Sequence, residues 1–185
     1  MDEEVIIMAY GFWSKTEYDL SFVRENIEMV IYTAVCFFIP FLLGHPQLFV
    51  GVVVNASLVM AAMNLKGYKL LPVIIAPSLG VLSRGLIFGP FTVFLLYMIP
   101  FIWVGNMILV MAFKWLRLKH NMNRWVVLAI GGGVKAAFLF TIAYILVSLG
   151  VLPALFTTVM GIIQLTTAIL GGVAALSVQA VKKAF

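Results

Sequence analysis

Long apolar runs separated by short polar links dominate this chain and restrict what it can fold into. From residue 26 onward, runs of about 18 or more apolar and small residues follow one another. A helix of that length crosses the hydrocarbon core of a bilayer and satisfies its own backbone there. Hydrophobic residues make up 64% of the 185 residues, which leaves too few polar residues for a separate soluble domain. The sequence therefore predicts an all-α, polytopic membrane helix bundle.

Six runs are predicted to form transmembrane helices. Their approximate bounds are 26–44, 46–64, 70–87, 90–114, 125–149 and 153–179. The third run is the least regular, because Pro72 and Pro77 interrupt it and Arg84 lies near its end. Residues 1–25 are predicted to form a polar, acidic N-terminal segment, and residues 26–181 the six-helix transmembrane domain.

Basic residues lie almost entirely on one side of the predicted spans. Loops at the ends of the even-numbered spans and the C-terminus hold eight of them: Lys66, Lys69, Lys114, Arg117, Lys119, Arg124, Lys182 and Lys183. Lys15 and Arg24 lie on the same side, whereas the other side holds only Arg84. By the positive-inside rule, both termini are cytoplasmic in a multi-pass protein of the cell membrane. The net charge of +5 thus reflects topology, and no nucleic-acid partner is expected.

Acidic residues are absent from most of the chain. All seven precede residue 29: Asp2, Glu3, Glu4, Glu17, Asp19, Glu25 and Glu28. Ion-coupled carriers usually place a carboxylate within the membrane, and membrane hydrolases need a nucleophile with a base or metal ligands. His45 and His120 are predicted at opposite membrane faces, so they cannot share a metal. We therefore expect neither an enzyme nor an ion-coupled carrier, and no metal or cofactor site.

A few polar residues lie inside the predicted spans. Gln47, Gly51 and Asn55 follow at a spacing of four and form one stripe on the second helix. This stripe is interpreted either as helix–helix hydrogen bonding or as a wall that faces a ligand from the outer side. Asn106 is favoured as an interhelical hydrogen bond. Gln164, in the sixth span, has the reach to contact a ligand.

Small residues recur at a spacing of four in the last two spans. The pairs are Gly132 with Ala136, Gly133 with Ala137, Ala168 with Gly172, and Gly171 with Ala175. Such pairs let helix backbones approach closely in a membrane. The fifth and sixth helices are therefore predicted to pack tightly against neighbours.

Lys135 lies inside the fifth predicted span, about 15 Å from its inner end at 1.5 Å per residue. A lysine at this depth is costly unless something compensates its charge. No carboxylate elsewhere in the membrane domain pairs with it, which leaves carbonyls, a ligand, another chain, the headgroups, or the side-chain oxygens of Asn55, Asn106 or Gln164. A neutral amine is the other alternative, because burial disfavours the charged form of a lysine. We expect Lys135 to point into the bundle and donate to neutral oxygens, with Asn55 and Gln164 the first candidates.

Four stretches resemble the substrate-binding S components of energy-coupling factor (ECF) transporters. They are "GHPQLFVGVVVNASLVMAAMNLKGYKLLPVIIAPSLG", "IPFIWVGN", "VKAAFLF" and "QLTTAILGG", in order between roughly residues 27 and 180. The likeness is to a small bacterial and archaeal group sometimes labelled as hydrogenase-associated. The resemblance implies a six-helix protein that binds a vitamin, a precursor or a similar micronutrient from outside the cell.

The resemblance also implies partners and a site. Such proteins dock with a coupling membrane subunit and two cytoplasmic ATPases, and this sequence carries no Walker motif of its own. Their ligand lies in the outer half of the bundle, where this sequence offers five candidates: Gln47, Asn55, Arg84, Lys135 and Gln164.

Two alternatives stay open at this point. Arg84 is interpreted either as the outer mouth of the site, attracting an anionic group, or as an arginine that snorkels to the headgroups.

The family often carries Ala-x-x-x-Ala on its first helix to meet the coupling subunit, whereas Ala34 is the only alanine of residues 26–44 here. The second functional hypothesis is a non-transporting membrane subunit that anchors or completes a larger complex.

The charge distribution predicts which positions an impermeant thiol reagent reaches in intact cells. In a Cys36→Ser background, His45→Cys and Ser148→Cys should be labelled, whereas Lys66→Cys and Lys119→Cys should be protected until the cells are lysed. Strong labelling at 66 or 119 before lysis would overturn the predicted topology.

Overall fold

The computed structural model describes residues 11–43, 46–88 and 92–184, and in these ranges the regular structure is helical. The helices are α1 (Phe22–Leu42), α2 (Gln47–Asn64), α3 (Leu70–Phe88), α4 (Thr92–Ala112), α5 (Arg124–Ser148) and α6, which comprises Leu155–Thr158 and Gln164–Ala184. π-Helical Phe113–Lys119 extends α4, and π-helical Val159–Ile163 joins the two parts of α6. The predictions for residues 1–10 and for His45 fall outside the described residues.

Five helices in the described ranges are long and apolar enough to cross a membrane, so the chain is a multi-pass membrane protein. They are α1, α2, the extended α4 (Val93–Lys119), α5 and α6 (Leu155–Lys182). The helix α3 has 19 residues and contains Pro77, and it is not one of the five. The predicted all-α membrane helix bundle is confirmed, while the sixth span stays a prediction.

Two helices extend beyond their predicted bounds. Helix α1 begins at Phe22 rather than residue 26, because the Ser21 hydroxyl accepts a hydrogen bond from the Arg24 backbone N–H and caps the helix. The fourth helix continues to Lys119, through residues predicted as a loop, because no proline or glycine interrupts them. Asn121, with a φ of 52°, then turns the chain toward α5.

The helices form a closed ring in the order α1, α2, α6, α5, α4, α3. Helix α2 also contacts α3 and α4, and it is the most buried of the five candidate spans. Its residues 57–65 are all buried, and the small side chains of Ala61 and Ala62 let the surrounding helices approach closely. The middle of α2 therefore lies at the centre of the bundle, and Asn55 lies there with it.

Helices α2 and α6 touch through glycine. A Cβ atom on Gly171 would lie 2.5 Å from the Val52 carbonyl oxygen and 2.8 Å from the Ala56 nitrogen. A Cβ atom on Gly51 would lie 2.7 Å from the Thr167 methyl carbon. The backbones can approach this closely only because both positions lack a side chain. The close packing predicted for α6 is confirmed.

Of the two small-residue pairs on α5, only one packs as predicted. Gly132 is buried, and a Cβ atom there would lie 3.4 Å from the Cβ of Ala168 on α6. Among the described residues, no atom outside α5 lies within 4 Å of a Cβ built on Gly133, and Ala137 is exposed. The prediction of close contact for Gly133 with Ala137 is therefore wrong, because this pair lies on the outward face of α5.

The N-terminal segment covers one end of the bundle, which we call the basic end and define as residues 11–28, 64–69, 114–124 and Lys182. The four carboxylates of the described chain lie there, and each pairs with a cation. The nitrogen–oxygen distances are 3.4 Å for Glu17–Arg117, 3.3 Å for Asp19–Lys66, 2.8 Å for Glu25–Lys69 and 3.5 Å for Glu28–Lys182. The described part of the N-terminal segment, from residue 11, thus lies at the same end of the bundle as the basic loops.

The contact between α2 and α6 predicts that Gly171→Ala lowers stability, because the added methyl group meets backbone atoms that cannot move aside. Overpacking of this kind costs about 1–3 kcal/mol. Gly133→Ala is the matched control: the same methyl group enters open space, and alanine is the better helix former. Thermal unfolding in detergent should show a lower midpoint for Gly171→Ala and an equal or higher one for Gly133→Ala. Equal midpoints for the two variants would contradict the described contact.

Candidate functional site

Lys135 lies at the centre of α5 and points into the bundle. It is the twelfth of the 25 residues of this helix, and its relative exposure is 2%. Its neighbours Gly132 and Ala136 are also buried. Because these neighbours are small, the surrounding helices come close enough to meet the lysine side chain.

The Lys135 ammonium donates to two side-chain amide oxygens from two other helices. Its Nζ lies 2.6 Å from Asn55 Oδ1 on α2 and 2.9 Å from Asn106 Oδ1 on α4. Asn55 is the ninth of the 18 residues of α2, so this contact also lies at mid-helix. Both asparagines are buried, with a relative exposure of 2%. Lys135 therefore links α5 to α2 and α4 at the centre of the bundle.

Further hydrogen bonds orient the Asn55 amide. Its Nδ2 donates to the Gly51 carbonyl oxygen, one turn earlier on α2, at 2.9 Å. The same Nδ2 donates to Thr167 Oγ1 on α6 at 3.2 Å, and the Thr167 hydroxyl donates to the Gln164 carbonyl oxygen at 3.1 Å. With both N–H groups of the amide occupied in this way, its oxygen is held toward Lys135.

The Asn106 amide is oriented in the same manner. Its Nδ2 donates to the Ile74 carbonyl oxygen on α3 at 3.0 Å, which leaves Oδ1 facing Lys135. We call Lys135, Asn55, Asn106 and Thr167 the Lys135 network. It joins side chains from α2, α4, α5 and α6, and it reaches α3 through a backbone carbonyl.

The network supplies hydrogen-bond acceptors to the Lys135 amine but no negative charge. Amide oxygens carry only partial negative charge, and the four described carboxylates are all paired at the basic end. An ammonium has three N–H donors, of which the two asparagine oxygens accept two. Chemically, this arrangement positions a hydrogen-bond donor at the centre of the bundle, with no described carboxylate beside it.

The structure brings together only part of the predicted set of site residues. The expectation that Lys135 donates to Asn55 is confirmed. The expectation for Gln164 is wrong, because Asn106 supplies the second oxygen. Gln164 lies on α6 one turn before Thr167, is partly exposed, and within the described residues contributes its backbone oxygen rather than its side chain.

Gln47 and Arg84 lie at the end of the bundle opposite the basic end. Gln47 is exposed at the first position of α2, eight residues and about 12 Å along the helix from Asn55. Arg84 donates from one guanidinium nitrogen to the Leu42 carbonyl oxygen at 3.2 Å. That bond satisfies a carbonyl at the C-terminus of α1, where a cation is also favoured by the helix dipole.

The burial of two lysines was not predicted from the sequence. Lys69 and Lys114 were both expected to be loop cations. Lys69 pairs with Glu25, and both side chains are less than 10% exposed. Lys114 is fully buried and donates to the Leu65 carbonyl oxygen at 2.6 Å and to the Lys15 carbonyl oxygen. Nothing in the sequence distinguished them from exposed loop lysines, because the folded N-terminal segment is what buries them.

A second polar cluster closes the bundle toward the basic end. Glu28 accepts from Tyr32 at 2.9 Å and from Asn64 at 2.7 Å, and Gln179 donates to the Asn64 oxygen at 2.8 Å. This cluster joins α1, α2 and α6. Asn64 lies nine residues, or about 14 Å, along α2 from Asn55. The carboxylate of this cluster is therefore too far away to neutralise Lys135.

No family model, curated protein or solved structure matches the chain. The function proposed for the site therefore rests on its geometry and on the resemblance that the sequence carries.

The network predicts strong coupling between Asn106 and Lys135. Asn106→Leu removes an acceptor from a buried ammonium and should lower stability by about 2–3 kcal/mol. Lys135→Met removes the charge while keeping the length of the side chain, so its stability should be equal or higher. If both effects arise from the same contact, the double variant should be more stable than the sum of the two single effects predicts. Unfolding titrations in detergent measure all three, and simple additivity would contradict the assignment.

Proposed function

We propose that this chain is the membrane-embedded, substrate-binding S component of an ECF-type uptake transporter for a small polar micronutrient such as a vitamin or a precursor. The observation that carries the proposal is Lys135, a cation held at the centre of a membrane helix bundle by two neutral oxygens. Placing a lysine at such a depth is costly, and ionisable residues inside a membrane are usually functional. The resemblance of the sequence to S components supports the same conclusion.

The proposed topology has six spans with both termini in the cytoplasm of a cell. Helix α3 supplies the additional span, since 19 residues at 1.5 Å each reach about 28 Å. The basic end faces the cytoplasm, as the positive-inside rule requires. The ligand then enters from the opposite end, where Gln47 and Arg84 lie, and reaches the central Asn55 and Lys135.

The proposed partners are a coupling membrane subunit and two ATPases supplied by other chains. Helix α1 has the lowest buried share of the five candidate spans, and its exposed side chains are large: Ile27, Val30, Ile31, Phe38 and Leu42. A partner at this face meets bulky apolar side chains rather than the small-residue stripe of Ala-x-x-x-Ala. The coupling contact in this protein therefore differs in detail from the one that the resemblance implies.

The second candidate is a non-transporting subunit that anchors or completes a larger membrane complex. One observation favours it: both hydrogen bonds of Lys135 go to side chains of this chain, and the residue is only 2% exposed. A purely structural role of the network would produce the same geometry.

Purification from the native source in mild detergent separates the two candidates. For a transporter, two ATPases and a coupling membrane protein should co-purify. The Lys135→Met variant should still co-purify with these partners but lose uptake, because in this proposal the lysine binds the ligand. For an anchoring subunit, other membrane proteins should co-purify instead. Ser177→Ala, which removes an exposed hydroxyl from α6, is the control for handling and expression.

A further inference from the structure

Two buried donor groups on facing helices have no hydrogen-bond partner among the described residues. They are the indole Nε1 of Trp103 on α4 and the hydroxyl of Ser78 on α3. Ser78 is 3% exposed, and Trp103 packs against the buried core to which all six helices contribute. Leaving such groups buried without a partner is unfavourable, because they lose their hydrogen bonds to water. Their positions therefore indicate what partner would satisfy them.

The bond between Asn106 and Ile74 fixes how α4 lies against α3 at this level. Trp103 precedes Asn106 by three residues, and Ser78 follows Ile74 by four, so each lies one turn along its own helix on the same face. Because α3 and α4 run in opposite directions, both steps lead away from the basic end. The two donors therefore lie at about the same level, one turn of about 5.4 Å beyond the Lys135–Asn106 contact.

Lys135 adds a third donor about one helical turn from this pair. Two of its N–H groups go to Asn55 and Asn106, and within the described chain the third has no acceptor. An indole N–H is only a donor, and an ammonium has no acceptor at all. The group that satisfies all three must therefore be rich in acceptors and bear negative charge.

We propose that an organic carboxylate binds one turn beyond Lys135, between α3, α4 and α5, and accepts hydrogen bonds from Lys135, Trp103 and Ser78. This assignment deepens the proposed function and rests on it, since it names the chemical class of the ligand. One carboxylate has enough lone pairs for three donors. Its single negative charge also favours the charged form of Lys135, so that the bound pair is neutral, whereas phosphate would leave an extra negative charge uncompensated at membrane depth.

The indole N–H signals of the protein test this directly. The chain has four tryptophans, so protein labelled with ¹⁵N-tryptophan in lipid nanodiscs gives up to four indole signals, and Trp103→Phe identifies the one of interest. Acetate and benzoate are the probes, acetamide and benzamide their neutral counterparts, and inorganic phosphate the second anion. We expect a saturable shift of the Trp103 signal with a carboxylate, and at least tenfold weaker binding of the amides and of phosphate.

Three variants connect the shift to the assigned donors. Lys135→Met should weaken carboxylate binding at least tenfold, and Ser78→Ala roughly fivefold, as expected for the loss of one neutral hydrogen bond. Ser177→Ala is the matched control, because it removes a hydroxyl on α6 that donates to its own helix at Val173. Its binding should equal that of the parent protein.

The assignment is overturned if neither carboxylate moves the Trp103 signal, if the amides move it equally, or if Lys135→Met and Ser78→Ala both bind as tightly as the parent. These outcomes are distinct from failure of the proposed function. Co-purifying ATPases without a carboxylate-dependent shift would leave the transporter proposal standing and refute the carboxylate site. A carboxylate-dependent shift without ATPases or uptake would do the reverse.

Discussion

The hydrogen bonds from the Lys135 ammonium to two asparagine oxygens are the interaction on which the centre of this bundle depends. An unsolvated cation at this depth would be strongly destabilising, so the surrounding helices must present oxygens to it. Asn55 and Asn106 do so, and their amide N–H groups are in turn held by Thr167 on α6 and by the Ile74 carbonyl on α3. The rotation of four neighbouring helices is thereby tied to one side chain of α5.

The charges of the protein are distributed unevenly between the centre and one end. At the basic end, carboxylates such as Glu25 and Glu28 face cations, and the N-terminal segment adds backbone carbonyls around Lys114. At the centre, amide oxygens accept hydrogen bonds from Lys135, and no described carboxylate lies beside it. One end of the bundle is therefore closed by matched charges, while its middle holds an amine without an acidic partner. This contrast is the physical basis of the uptake proposal.

Part of the site followed from the sequence by elimination. With no acidic residue after residue 28, neutral oxygens were the expected partners of a lysine inside a span, and Asn55 was among the few side chains that could supply one. The choice between Gln164 and Asn106 could not be made in the same way. It depends on which face of each helix turns toward α5, and one turn on α6 places Thr167 rather than Gln164 against Asn55.

The sequence by itself determined that this is a membrane helix bundle, where its apolar helices lie to within a few residues, and that its central lysine lacks an acidic partner. These properties follow from local composition and from the positions of charges along the chain. Tertiary structure alone decided that Gly171 packs against the backbone of α2 while Gly133 faces outward, and that Lys114 is buried. The reason is geometric: helix contacts and hydrogen-bond partners depend on how each helix is rotated against its neighbours, and that rotation is settled only when all the helices pack together.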